Sequence, residues 1–366
     1  AQVLLGKTYL VLGQYEEAES WFTMASSMAP DNAELKALIG VSRLRGGDTK
    51  AGIRDLELAA ESAPADAAVR NELARAYMST GNTQRAINML ESALQQSEEQ
   101  QDTEAMLMMA YLSAGEYDKV IDLANKLSTQ FPDNPLPPLA VGMASEASKD
   151  FATARRQYDK VLGLDPDQIA ALLGHARLDM NEGNVPDARD RYQAVLAIKP
   201  DHTEALVALA YLLELEGNID QAVVLLEKAR QAAPGLLEPR LILGNYYLKR
   251  GDVEQAMVYA KEAHAINPED RRVLFVLGKA QLFSGDPEAV PTLLQLTEQA
   301  PDFPEAHYYL GLVKIKLRDM QGAHDSLQRA LKLNPDLMQA RLALGNLEFQ
   351  RGNTDKALEI ARQLQK

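Results

Sequence analysis

The groups that could do chemistry are few and scattered. The five histidines, His175, His202, His264, His307 and His324, are never four residues apart and form no HExxH frame, so nothing predicts a zinc-holding pair on one helix face. The chain has no cysteine, which excludes disulfides, cysteine-based zinc sites and a thiol nucleophile. Acidic residues are abundant, but Asp252 and Glu254 fall at turns and Glu204, Glu238 and Glu305 at helix starts, where a carboxylate favours the helix N-terminus. No pair stands out as a general acid and base, and there is no Gly-rich phosphate loop or nucleophile elbow. The expectation is a chain without catalysis, metal or cofactor. Recognition chemistry remains. Asn245, Lys249, Phe275, Lys279, Phe283 and Tyr308 offer donors, cations and aromatic faces, a mixture that suits an extended acidic or polar peptide. The two lysines matter because the chain carries a formal charge of −14. That balance argues against nucleic acid and anionic membrane surfaces as partners, since phosphate binding needs concentrated Lys and Arg.

These residues sit at fixed places in a repeat. From Leu237 to Asp270 the sequence reads as two amphipathic helices, broken at Arg250-Gly251-Asp252 and ended by Asn267-Pro268. The same unit recurs every 34 residues. Pro30, Pro64, Pro132, Pro166, Pro200, Pro234, Pro301 and Pro335 answer to Pro268, with Glu98 breaking the series and Pro301 one residue early. Gly244 and Ala256 mark two phases kept small in most units, by Gly40, Gly142 and Gly278 for the first and Ala18, Ala154 and Ala323 for the second. Small residues there let paired helices approach closely, and Gly251 suits a turn that needs positive φ.

A helix–turn–helix period of 34 with these small residues resembles the tetratricopeptide (TPR) repeat along the whole chain. The resemblance implies an all-α, right-handed superhelix of about eleven repeats, the first and last truncated, in which residues 1–366 form a single array. It also implies that the first helix of each unit lines a concave groove, with the positions one and five places after the Gly244 phase facing into it. Asn245, Lys249, Lys279 and Phe283 hold such positions, and a protein or peptide segment is the implied occupant. TPR proteins that clamp a peptide C-terminus place a Lys three residues before the small phase. Here that position reads Leu241, Phe275, Tyr308 and Leu342 in the last units and holds no lysine in any, so a co-chaperone role is disfavoured. Between Phe131 and Ala210 the runs FPDNPLP, DFATARRQYDKVLGLDPD and ALLGHARLDMNEGN resemble TPR proteins of bacterial PEP-CTERM/exosortase systems, of the PrsT type. That resemblance implies an interaction scaffold of the envelope or periplasm, serving exopolysaccharide production or protein sorting. The competing readings are a cytosolic adaptor and the substrate-recruiting arm of a larger enzyme such as a glycosyltransferase.

Some units depart from the pattern. A polar stretch from Gln95 to Asp102 replaces the proline before unit four, and Met106, Met108 and Met109 follow it, which predicts looser packing. Pro135, Pro137 and Pro138 crowd the first turn of unit five, where the N–H groups lack helical partners anyway. Pro291 falls at the start of a second helix and should delay it, making unit nine the expected bend. Trp21 reads as a core aromatic. The longest apolar run, Ala205 to Leu213, is too short to cross a bilayer. The chain begins inside a first helix and stops before a closing proline, as expected of a window cut from a longer array.

Overall fold

The computed structural model describes residues 1–94 and 101–364. They form 22 helices and no strand. One compact unit comprises Ala1–Arg191 and another Tyr192–Lys366. The first holds α1 (Gln2–Val11), α2 (Tyr15–Met28), α3 (Ala33–Arg45), α4 (Thr49–Ser62), α5 (Ala67–Ser79), α6 (Thr83–Leu94), α7 (Gln101–Ala114), α8 (Tyr117–Gln130), α9 (Leu136–Ala147), α10 (Phe151–Leu164) and α11 (Ile169–Glu182). The boundary falls within α12 (Val185–Ile198). The second unit continues with α13 (Thr203–Leu215), α14 (Ile219–Ala232), α15 (Glu238–Arg250), α16 (Val253–Ile266), α17 (Arg271–Ser284), α18 (Ala289–Gln299), α19 (Pro304–Lys316), α20 (Met320–Leu333), α21 (Met338–Gln350) and α22 (Thr354–Gln363).

Odd-numbered helices pack on the even ones that follow, as α3 does on α4 and α19 on α20, and several also touch an odd neighbour, as α3 does α5 and α15 does α17. In the second unit α15, α17, α19 and α21 thus form one layer with a shared face. The turn inside each pair is made alike. Gly251 adopts φ 76° in the left-handed region, and the corresponding Gly47, Gly183, Gly285 and Gly352 do the same. Lys149 (φ 67°) and Arg318 (φ 61°) hold that phase without being glycine. One residue further on, Asp48, Asp150, Asp252 and Asp319 cap the even helices, accepting from the backbone N–H three residues ahead at 2.9–3.1 Å. Each such cap is worth about 1 kcal/mol.

The small phases are where helices meet. Ala18, Ala86, Ala154, Ala256 and Ala323 are fully buried. A Cβ added at Gly52 would lie 2.7 Å from the Gly40 carbonyl oxygen and from the Leu44 nitrogen, so α3 and α4 touch backbone to backbone. At Gly244 the nearest atom is Val276 Cγ1 at 2.9 Å, ahead of the Ala256 carbonyl at 3.8 Å; the glycine there accommodates the next odd helix as much as its own partner. Tyr158, fully buried, fits its ring between Gly142 and Gly174.

A polar pattern also repeats. The Tyr77 hydroxyl donates to Glu57 at 2.7 Å while Arg85 pairs with Glu57 at 2.9 Å and lies 4.4 Å over the tyrosine ring. Thirty-four residues on, Tyr111, Glu91 and Lys119 repeat the arrangement. Burial, then the Glu57 carboxylate, pushes the Tyr77 hydroxyl up to about 12.

The irregular units resolve individually. Pro137 and Pro138 lie in the first turn of α9 and are buried. Helix α18 starts only at Ala289 and runs 11 residues against 14 for α16, the delay expected of Pro291. Met108 is core, 3% exposed, whereas Met109 is 48% exposed. Phe22, not Trp21, fills the core of the first unit's opening repeat, and Trp21 is half-buried. Most of the polar stretch before unit four, residues 95–100, lies outside the described residues. No described helix is long and apolar enough to cross a membrane.

Candidate functional site

Because Asn245 and Lys279 are 34 residues apart, the repeat sets them at one phase of the neighbouring helices α15 and α17. The Asn245 amide donates to the Leu241 carbonyl at 2.9 Å, which fixes its orientation, and its Oδ1 accepts from Lys279 Nζ at 2.7 Å. The same ammonium lies 4.6 Å over the Phe275 ring and 5.8 Å from that of Tyr309 on α19. Phe275 contacts Phe303 at 5.0 Å and Tyr309 at 5.5 Å between centroids, with the rings steeply inclined. Three successive odd helices therefore converge on one aromatic cluster with a cation on it.

A cleft of about 610 Å³ opens beside the cluster, its floor made by Leu241, Phe275, Val276 and Phe303 and its rim by Glu238, Arg271, Arg272 and Asp302. Arg272 is committed to Asp270 at 2.9 Å and Glu238 at 3.0 Å. Lys279 differs: among the described residues no carboxylate lies within ion-pair distance of it. Burial, reinforced by the nearby positive Lys249, lowers its pKa to about 8. The aromatic faces oppose that shift, since a cation over a ring gains about 0.5–1 kcal/mol. A half-buried ammonium with a neutral acceptor and two rings is a group prepared for an incoming anion.

The six residues singled out from the sequence fare differently. Asn245, Phe275 and Lys279 form one constellation. Lys249 is exposed at the edge and paired with Glu214 at 3.0 Å. Phe283, 49% exposed, meets Tyr309 edge-on at 6.5 Å. Tyr308 touches Tyr309 at 4.9 Å but packs against the cluster of Leu327, Ala340 and Leu344. Tyr309 and Phe303 were not anticipated. Tyr309 stands where the two preceding units have Ile242 and Val276, so the change from aliphatic to aromatic at that phase was the available signal.

Two other places bear comparison. In the first unit a cleft of about 590 Å³ includes Lys7, Asn71, Arg75, Met106 and Met109 in its lining. Its cations are already neutralised, Lys7 by Glu34 at 3.0 Å and Arg75 by Glu72. His175 is buried, with Nε2 2.9 Å from Asp159 and Nδ1 3.4 Å from Arg155. Arg155 and Arg191 in turn pair with buried Asp179. This network braces the helices around it, and burial, then Arg191, lowers the His175 pKa. No group of three or more His, Cys, Asp or Glu among the described residues is placed to hold a metal.

The family model described as Protein kinase G tetratricopeptide repeat matches residues 33–233. Further tetratricopeptide-repeat models match residues 1–32, 247–312 and 311–366. No curated protein matches the chain. Among solved structures, the APC/C hetero-tetramer Cut9-Hcn1 is 16% identical with a TM-score of 0.56, over 94% of this chain and 75% of that one. Yeast Tom70 is 14% identical with a TM-score of 0.45, over 99% and 90%. MamA from Desulfovibrio magneticus RS-1 is 18% identical with a TM-score of 0.41, over 44% and 93%. At 16% identity the likeness to Cut9-Hcn1 is one of helical fold.

Proposed function

This chain belongs to the tetratricopeptide-repeat family, and from that premise we propose that it is a non-catalytic interaction scaffold whose α15–α17–α19 face binds an extended segment of a partner protein. The observation that carries the reading is Lys279, an ammonium without a carboxylate partner among the described residues, set beside an apolar cleft on a chain of net charge −14. An acidic residue of the partner answers the ammonium, and an apolar side chain fills the cleft over Phe275, Val276 and Phe303. Buried apolar contact at the centre of an interface carries most of the affinity, and the charge chiefly sets approach and register.

The setting we propose is the bacterial envelope, in exopolysaccharide production or PEP-CTERM protein sorting. It is supported by the resemblance of the runs between Phe131 and Ala210 to the PrsT type. The test is to recover the partner from a lysate of the native cells and titrate it against Lys279→Glu and the parent. Reversing the charge should slow association and change its salt dependence; identical association kinetics would contradict the reading. Fractionation of the native cells tests the envelope assignment, which a purely cytosolic distribution would refute.

A further inference from the structure

We infer that the cleft between α4 and α6 binds a glutamate side chain of a partner protein, whose carboxylate answers Arg70. This site lies on other helices than the α15–α17–α19 face and does not rest on that reading. The repeat supplies its template. Residues 60, 70 and 92 stand five 34-residue periods before 230, 240 and 262. In the later repeat Arg240 donates from Nη1 to the Leu236 carbonyl and from Nε to the Glu262 carboxylate, each at 3.0 Å, and Arg230 pairs with the same carboxylate. In the earlier repeat Arg70 likewise donates from Nη1 to a carbonyl, that of Pro64. Ser92, however, stands in place of Glu262, and Ala60 in place of Arg230. Arg70 is only 9% exposed, and its Nε is buried without a hydrogen-bond partner among the described residues.

A buried donor left unpaired bears the cost of its desolvation with nothing in return, and an acceptor that reaches it recovers that cost. Two small side chains in place of an arginine and a glutamate leave room for one. A cleft of about 460 Å³ has Ala60, Arg70, Leu73, Met89 and Ser92 in its lining. The position to be filled is one that a glutamate side chain already fills in the later repeat, and Ala60, Leu73 and Met89 suit its methylene stem. Because Nε is closed to solvent, the entering side chain has to shift part of the lining; Met89, unbranched and adaptable, can yield. Of the two carboxylates in the lining, Glu57 is shared between the Tyr77 hydroxyl and Arg85, and Glu61 is exposed, where solvent screens it.

The experiment uses the whole chain with isotope-labelled methionine methyl groups, the Met89 resonance being assigned by Met89→Leu. It titrates the capped peptide acetyl-Ala-Glu-Ala-amide and its glutamine counterpart. The Met89 resonance should move saturably with the glutamate peptide, and the glutamine peptide should bind at least about fivefold more weakly, since a charged acceptor makes the stronger bond. Ser92→Glu, an exposed substitution that restores the repeat's own carboxylate, should abolish the response and raise the thermal midpoint by about 2 °C. That rise should vanish when Arg70→Gln is already in place. A Met89 resonance unmoved by the glutamate peptide, equal affinity for the two peptides, a response that survives Ser92→Glu, or a rise indifferent to Arg70→Gln overturns the inference.

Discussion

At Lys279 burial and the neighbouring Lys249 charge both disfavour the ammonium, and the sign of the effect on stability follows. Its pKa is lowered to about 8 in the folded chain, below the ordinary lysine value. Between these values the unfolded chain binds the extra proton, so stability gains from this site as pH rises through that window. Below about 8 both states are protonated and the folded one bears the full cost of holding a poorly solvated charge. Lys279→Met should therefore stabilise the chain at pH 7.5, and the advantage should shrink at pH 9.5. Chemical denaturation of parent and variant at both values checks this, and an advantage that grows with pH would contradict it. The phase rule led from the sequence to Asn245, Lys279 and Phe275 because the repeat fixes which residues of successive helices are adjacent. It could not reveal how side chains lean. Tyr308 and Tyr309 are neighbours in sequence, yet Tyr309 joins the Lys279 cluster while Tyr308 packs towards Leu344.

The helices show the same division at their crossings and turns. Gly40 was visible as a small phase, but only the structure shows that backbone meets backbone where it faces Gly52: a methyl group at Gly52 would lie 2.7 Å from the Gly40 carbonyl oxygen. Gly52→Ala can be relieved only by separating α3 from α4, so it should cost about 2–3 kcal/mol, the upper range of overpacking. Gly244→Ala presses on a side-chain methyl of Val276 instead and should cost less. Thermal melts of the two variants give the order. The turn phase offers the opposite case. Lys149 and Arg318 occupy left-handed backbone, which costs an L-residue about 1–2 kcal/mol. Glycine gives back part of that gain through unfolded-state entropy, so Lys149→Gly should stabilise by about 0.5–1 kcal/mol. A loss of stability would mean that the lysine side chain makes contacts that outweigh the strain. This phase was legible because nine other turns place glycine at it in positive φ.

For the molecule as a whole, repeats that pack on their sequence neighbours open locally where the interface is weakest. Helix α18 begins late, and Val290 reaches the Pro287 carbonyl only at 3.4 Å. Amide exchange across residues 285–292 should outpace that within α13 and α14, and uniform protection would defeat the expectation. The fold was legible from periodicity because one spacing recurs along the chain. The site was only partly so, since two clefts carry apolar and charged residues at groove phases and the sequence does not say which charges are already paired. In the structure Lys7 and Arg75 are neutralised within the first cleft, whereas Lys279, beside the second, has no carboxylate partner among the described residues. The most direct test of the assignment is the affinity of the recovered partner for Phe275→Ala and for Met109→Ala, measured by calorimetry. Phe275→Ala should weaken binding by about 1–2 kcal/mol and Met109→Ala should leave it unchanged; loss with Met109→Ala and full affinity with Phe275→Ala would place the site in the first cleft instead.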